Sequence, residues 1–285
     1  EKKTKKTNNI SNCPKLEDAR DAGSDKSFTT SLILTEGDSA KGLAMGGLAV
    51  VGQQKYGVFP LKGKLLNVRD CSLKSLTENE EIKNIIKIIG LRYKGEYSNP
   101  ELMKTLRYGR IIIFTDQDDD GFHIKGLLMN FFHFYAPELI KHHSFIQCLQ
   151  TPIVKVKKST GGGQHVDFYS LPRFEDWKKE ISETGDLNKW KIKYYKGLGT
   201  STPKEAREYF TGIEDKLIRY NWDRDDDAVE QNSITLAFQK DRADDRKDWL
   251  RSTDIKNQST IDDMKDVSYT TFVNKELILF SNSDN

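Results

Sequence analysis

Acidic residues follow two short apolar runs of the sequence, at the point where each run ends. Glu36 comes directly after the first run. Asp116, Asp118 and Asp120 stand at every second position after the other run. Residues two apart do not share a helix face, but they can share one side of an extended strand end or turn. Oxygen donors without a nearby Cys or His pair favour magnesium, manganese or calcium over zinc, and a cation offsets the repulsion between clustered carboxylates.

The aspartate run also fits two other structures. It could be a solvated turn that caps a helix beginning near residue 122, and the run alone does not decide between this turn and a metal site. Asp116–Gly121 also matches the first half of a calcium-binding EF-hand loop. That loop requires a Glu at its twelfth position and a helix before it, whereas here the twelfth position is Leu127 and an Ile-rich run precedes. The EF-hand is therefore excluded, and the position of Glu36 favours the metal site.

Other catalytic and binding motifs each fail on particular residues. Lys41 stands where the nucleophile elbow of an α/β-hydrolase needs its second glycine, and Gly63–Leu65 lacks the Ser or Thr of a P-loop. Gly197–Gly199 stops short of a dinucleotide fingerprint and predicts a turn. The histidines show no metal-ligand spacing, and for His123, beside the acidic run, a structural role is favoured.

The composition is that of a polar chain whose net charge is close to zero. Of its 285 residues, 36% are hydrophobic and 31% are charged, and the mean hydropathy is −0.67. The 45 Lys and Arg residues nearly cancel the 43 Asp and Glu residues, so a nucleic-acid partner can be argued only from local charge. The sequence contains no apolar run typical of a membrane span or a secretory signal. The three cysteines are far apart, which favours a reducing compartment over a disulfide scaffold.

The segments around the acidic residues predict an α/β layer with a parallel sheet. Both apolar runs are rich in β-favouring residues, and helical patterns follow them. Ligands gather at the carboxyl ends of parallel strands, so Glu36 and the aspartates converge if their strands are neighbours. The predicted elements are strands at Ser31–Thr35, Tyr56–Pro60 and Arg110–Thr115, and helices from Ala40, over 78–89 and from about His123 to Tyr135.

The second half of the chain predicts a smaller, mixed α+β region. Two β-favouring runs, Ile153–Val156 and Val166–Tyr169, flank the glycines at 161–163 and predict a hairpin. A capping box at Thr202–Glu205 predicts another helix. Alternation over 190–195 predicts a half-buried strand with Trp190, Ile192 and Tyr194 on its inner face and lysines outside.

The acidic pattern resembles the TOPRIM fold, which topoisomerases, bacterial primases and some nucleases share. Longer segments closely resemble eukaryotic-type DNA topoisomerase II of type IIA: Leu34–Lys41, Tyr56–Asn67, Thr115–Gly121 and Tyr195–Ser201. The resemblance runs from about Pro14 to Asn285, with a departure at about 251–268, which is shorter and less basic than in the family.

The resemblance implies three regions in the chain. Residues 1–27 are expected to be a linker from an upstream ATPase region. Independently of the resemblance, the polar composition of these residues and the apolar run that follows predict that ordered structure begins at Ser31. Residues 28–150 are expected to form a TOPRIM metal-binding domain with a parallel sheet flanked by helices. Residues 151–285 are expected to form a mixed α+β extension, which leads toward a winged-helix domain outside this chain.

For function, the resemblance implies a central part of an ATP-dependent isomerase. In that family, both strands of DNA are cleaved and religated through a tyrosyl-phosphodiester so that another duplex can pass. The Tyr and the ATPase are expected outside this chain, so the isolated chain is predicted to be inactive and not to bind ATP. Double-stranded DNA, homodimerisation of the full-length enzyme, no membrane partner and residence in the nucleus are further implications.

For the site, the resemblance implies metal ligands at Glu36, Asp116 and Asp118, with Asp120 farther from the metals. Glu36 is also the implied acid/base residue that helps to protonate the leaving 3′ oxygen. The implied metal is Mg²⁺, for which Mn²⁺ or Ca²⁺ can substitute in binding. The implied contacts to DNA, more to its backbone than to its bases, are Lys64 and Asn67, with added charge from Lys62 and a looser match at Lys240.

Two alternatives stay open at this point. The chain could belong to another TOPRIM enzyme, a primase-like polymerase or a nuclease, although the Tyr195–Ser201 motif and the C-terminal segment argue against it. It could also be a non-catalytic module that binds metal or DNA.

Overall fold

A computed structural model describes residue 10, residues 13–159 and 165–254, residue 261 and residues 264–283. The strands of this part of the chain, in order, are β1 (Ser31–Glu36), β2 (Tyr56–Leu61), β3 (Arg110–Phe114), β4 (Ile146–Leu149), β5 (Val154–Lys158), β6 (His165–Phe168), β7 (Trp190–Tyr194), β8 (Leu217–Asn221) and β9 (Asp266–Ser268). The helices are α1 (Gly37–Val51), α2 (Leu73–Glu78), α3 (Glu80–Ile89), α4 (Pro100–Met103), α5 (Asp119–Tyr135), α6 (Pro137–Ile140), α7 (Leu171–Glu183), α8 (Pro203–Phe210), α9 (Asp227–Phe238), α10 (Ala243–Ser252), α11 (Tyr269–Phe272) and α12 (Ile278–Ser283).

The larger sheet has the strand order β2-β1-β3-β4-β8-β9. Its pairs β1/β2, β1/β3 and β3/β4 are parallel, whereas β4/β8 is antiparallel. Helices cover this sheet, as the α/β prediction requires. The smaller sheet is antiparallel, in the order β6-β5-β7. The predicted architecture, a parallel sheet flanked by helices and followed by a smaller α+β region, is confirmed.

The core forms on both faces of the larger sheet, and its central strands β1 and β3 are buried except for one terminal residue of each. Leu32 and Leu34 of β1 belong to the apolar cluster on one face, and Ile33 belongs to the cluster on the other face. On the first face, α3 contributes its isoleucines, as its periodicity predicts. This helix ends at Gly90, whose φ of 80° is the left-handed conformation that favours glycine. Among the described residues, no helix is both long and apolar enough to cross a bilayer.

The prediction that ordered structure begins at Ser31 is wrong, because the segment from Cys13 onwards already packs on the sheet. Glu17 pairs with Val58 of β2, and Asp18 forms an ion pair with Arg107. Cys13 and two alanines of this segment are buried in the core. The segment is irregular, so its few buried side chains leave no helical or strand period in the sequence. The role of residues 1–27 as an interdomain linker stays a prediction.

Two further element predictions need correction. α5 begins at Asp119 and not near His123, because Asp118 caps it. In the strand at 190–195, Tyr194 is 55% exposed and Tyr195 is buried, the reverse of the predicted alternation. The reversal occurs because β7 ends at Tyr194 and the Tyr195 hydroxyl turns inward to donate to Glu205. The predicted hairpin is present as β5 and β6, but its tip at 161–163 lies outside the described residues, as does most of 255–263.

Candidate metal centre

The carboxyl ends of β1 and β3 bring Glu36 and Asp116 together. The two strands are parallel neighbours in the register Thr35↔Phe114, so the residues that follow them emerge at the same edge of the sheet. The backbone N–H of Asp116 donates to Glu36 Oε2 at 3.3 Å. Directly after Glu36, Gly37 has a φ of 76°, which lets the chain turn at once into α1. The condition on which the convergence of Glu36 and the aspartates depends, that their strands are neighbours, is therefore met.

Asp116 is held from the second half of the chain. Its Oδ1 accepts a hydrogen bond of 2.6 Å from the backbone N–H of Leu198. Close packing also surrounds its backbone, since a Cβ on Gly121 would overlap with the Asp116 carbonyl oxygen. The absence of a side chain at Gly121 therefore lets the first turn of α5 approach the end of β3.

Asp118 and Asp120 make other contacts. Asp118 Oδ1 accepts from the backbone N–H of Gly121 at 2.9 Å and so caps α5. Asp120 is exposed and lies 2.8 Å from Lys64 Nζ in an ion pair. The turn that caps the helix is therefore present, and the same loop carries the candidate ligands.

Burial and nearby negative charge raise the pKa of two of these carboxylates, Glu36 and Asp116. Burial raises the pKa of Glu36, and the charges of Asp116, Asp118 and Asp120 raise it further against the hydrogen bond from the Asp116 N–H. Burial likewise raises the pKa of Asp116, and the Leu198 N–H opposes this effect. A bound cation would offset both the burial and the repulsion.

The donors fit a hard divalent cation in their chemistry, but they do not yet converge on one point. Across the ranges that the structure describes, no three His, Cys, Asp or Glu side chains are arranged to hold a metal ion. Glu36 and Asp116 lie together, whereas Asp118 and Asp120 are engaged by the Gly121 N–H and Lys64. Each carboxylate offers about four lone-pair sites, so a single hydrogen bond does not exhaust its capacity to bind a metal.

The residues implied to contact DNA are exposed lysines and one asparagine whose side chain is hydrogen-bonded inside the protein. Lys62 is exposed and pairs with Glu80 at 2.7 Å. Lys240 is also exposed and, with Asn67, lines a cavity of about 630 Å³ beside α10. The side-chain amide of Asn67 is used inside the protein, since its Nδ2 donates to the Phe238 carbonyl oxygen at 2.8 Å. The DNA contacts of all four residues, including Lys64, stay predictions.

The segment Tyr195–Ser201 is the part of this centre whose role the sequence does not reveal. Its glycines indicate a turn, but they do not show that the turn packs against Asp116, which lies about 80 residues earlier. Glu205 anchors the segment: its partial burial opposes ionisation, yet hydrogen bonds from Lys193, Thr202 and Tyr195 lower its pKa to about 2. The one available signal is Gly197-x-Gly199 directly before the capping box of α8.

Two domain families match consecutive stretches of the sequence. The Toprim domain matches residues 31–148, and the C-terminal associated domain of TOPRIM matches residues 149–285. The first contains β1, β3 and the acidic residues, and the second contains the segment that contacts Asp116.

The chain is also similar to known topoisomerases. It is 53% identical over 291 residues to DNA topoisomerase 2-alpha of Cricetulus griseus and 53% identical over 293 residues to DNA topoisomerase 2-beta of Homo sapiens. Each alignment covers 98% of this chain but only 18% or 17% of the relative, so the chain spans less than a fifth of their length.

A solved structure shows the same fold. The crystal structure of the Plasmodium falciparum topoisomerase II DNA-binding, cleavage and re-ligation domain superposes with a TM-score of 0.87 at 49% identity. The match covers 97% of this chain and 36% of that one. The two domain matches, the sequence identity and the common fold agree. The chain belongs to the eukaryotic DNA topoisomerase II family and corresponds to its TOPRIM-containing region.

Proposed function

We propose that this chain forms the metal-binding part of an ATP-dependent type IIA topoisomerase, which cleaves and religates both strands of DNA to pass another duplex. The observation that carries the proposal is the meeting of Glu36 and Asp116 at the ends of β1 and β3, with Asp118 on the adjoining turn. The similarity to topoisomerases along 98% of the chain supports the same function. The relatives' names do not favour a primase, a nuclease or a non-catalytic module.

In this proposal, Glu36, Asp116 and Asp118 hold Mg²⁺, and Asp120 adds negative charge from farther away. The cation would stabilise the departing oxygen and anchor a phosphate. Glu36 would help to protonate the leaving 3′ oxygen. Asp116 needs little rearrangement for this role, since the Leu198 N–H already orients its carboxylate.

The lysines near the acidic edge would contact the DNA backbone. The ammonium group of Lys64 pairs with Asp120 in this structure. Once Asp120 turns toward a metal, this ammonium group can bind a DNA phosphate instead. Lys62 and Lys240 supply further exposed positive charge, which favours backbone contact over base recognition. We propose that Asn67 supports this surface, because its amide links the loop after β2 to the end of α9.

The remaining activities belong to the proposed full-length enzyme. The nucleophilic Tyr and the ATPase would lie in the parts of the relatives that this chain does not span. The isolated chain would accordingly bind metal and DNA but would neither cleave DNA nor use ATP. A homodimer and residence in the nucleus are part of the same proposal.

Replacing Glu36 in the full-length enzyme tests this function. We expect Glu36→Gln to slow DNA cleavage by about 10²–10⁴-fold, the range for loss of one acid/base group. Glu101→Gln is the control, because Glu101 is exposed on α4 and pairs with nearby Lys104. Single-turnover cleavage of a labelled duplex measures both variants. Cleavage at the wild-type rate by Glu36→Gln would refute the assignment.

A further inference from the structure

The backbone at Gly197 lies directly against the carboxylate of Asp116. A Cβ added to Gly197 would overlap with Asp116 Oδ2 and lie 3.0 Å from its Cγ. The backbone of Gly197 is extended, with φ 166° and ψ 174°, so any residue could adopt its conformation. A side chain here would force the Asp116 carboxylate to shift, so glycine is favoured by the close approach and not by the backbone angles.

The other glycine of the segment has no such neighbour. A Cβ on Gly199 would meet no heavy atom within 4 Å. Two glycines that look equivalent in the sequence therefore differ in the structure, and only Gly197 is constrained by a candidate metal ligand.

The loop that carries Gly197 is fixed by its own contacts. Leu198 is buried in the core under the sheet. The carbonyl oxygen of Gly197 accepts from Thr200 Oγ1 at 2.7 Å, and Ser201 N–H donates to the Leu198 carbonyl oxygen at 3.0 Å. The Leu198 N–H is thus presented to Asp116 from a loop that is held by its own hydrogen bonds, at a short distance of 2.6 Å.

We propose that Gly197 and the Leu198 N–H are positioning groups, which fix the Asp116 carboxylate in the orientation that binds the divalent cation. The inference rests on the proposed metal site. It adds that the C-terminal associated domain completes this site, because Gly197 and Leu198 lie in the stretch that matches that domain. The metal affinity of the Toprim domain then depends on a loop some 80 residues away along the chain.

The first experiment measures Mn²⁺ binding to the 285-residue chain by electron paramagnetic resonance. We expect Gly197→Ala to weaken the Asp118-dependent site by about 10–100-fold, as when other groups that orient a metal ligand are lost. Gly199→Ala is the matched control and should bind like the wild type. Wild-type affinity in Gly197→Ala, with Asp118-dependent binding intact, would overturn this inference and leave the proposed function standing. Absence of Asp118-dependent binding in the wild type would overturn both.

A second experiment separates positioning from a general loss of folding. Thermal unfolding is compared for Gly197→Ala in the wild type and in an Asp116→Ala background. The added methyl group should lower the midpoint temperature of unfolding only where the Asp116 carboxylate is present. The effects of Gly197→Ala and Asp116→Ala on this temperature should therefore be non-additive. Equal losses in both backgrounds would show that Gly197 does not act through Asp116.

In the full-length enzyme, the same substitution should change the metal requirement more than the chemistry. Gly197→Ala should raise the Mg²⁺ concentration that gives half-maximal cleavage and retain most of the rate at saturating Mg²⁺. A lower rate at every Mg²⁺ concentration with an unchanged midpoint would contradict positioning of a metal ligand.

Discussion

His133 is a residue whose protonation state should limit stability at low pH. Its ring packs on Trp222, and its Nδ1 lies 2.7 Å from Arg69 Nη2, which needs a neutral acceptor. Burial and the nearby cations Arg69 and Lys141 lower its pKa from 6.5 to about 4, against a smaller opposing effect of Asp227. Between these two pKa values, His133 is therefore neutral in the folded chain but protonated in the unfolded chain.

The resulting prediction is a loss of stability as the pH falls from about 6.5 to about 4. In this window the unfolded state binds more protons, so the free energy of unfolding should fall by up to about 3 kcal/mol from this group. Urea unfolding at a series of pH values measures the slope. His133→Phe should remove this part of the slope, and His165→Gln, at an exposed position on β6, should retain it. An unchanged slope in His133→Phe would contradict the assignment.

At the same scale, the sequence predicts the acidic residues but not the groups that orient them. Glu36 and Asp116 can be placed because each directly follows a recognisable strand, and parallel strands bring such positions to one edge. The contact between Asp116 and Leu198 cannot be predicted this way, since it comes from a backbone N–H, which every residue but proline has. The ion pair of Asp120 with Lys64 is likewise a tertiary contact without a local pattern.

Among the elements, those with a clear period or a cap are the ones the sequence predicts. β1, β3 and the amphipathic α3 fall close to their predicted bounds, and α8 has both hydrogen bonds of its capping box. α5 begins four residues before the predicted His123, because Asp118 caps it and the helix starts at Asp119. The short strand β9 carries too few residues for a period, and it is stabilised by pairing with β8.

The packing of α1 against α8 gives a prediction at this scale. A Cβ on Gly47 would overlap with the ring of buried Phe210, so Gly47→Ala should destabilise the fold by about 1–3 kcal/mol through overpacking. Gly42 lies on the same helix with open space around it, so Gly42→Ala should stabilise by about 0.5–1 kcal/mol. Urea unfolding of both variants checks the pair. Equal effects would mean that α1 does not approach α8 through Gly47.

At the scale of the whole molecule, the two matched domains meet at the candidate metal centre. The strands of residues 31–148 supply the carboxylates, and the stretch 149–285 supplies the loop over Asp116. Lys125 of α5 and Glu276 form a buried ion pair of 3.1 Å, which joins the first domain to the C-terminal helices. Both domains therefore contribute residues to the candidate metal centre. For this reason, the sequence pattern of either half alone does not predict the whole centre.

The most direct test of the central claim, a divalent cation held at the ends of β1 and β3, is a Mn²⁺ titration of the chain with a short nicked duplex. Wild type and the control Asp119→Asn, an exposed neighbour at the start of α5, should bind Mn²⁺ beyond what the duplex binds alone. Asp118→Asn should lose this binding, since it removes one predicted ligand. Equal binding by Asp118→Asn and wild type would contradict the claim and place the metal elsewhere.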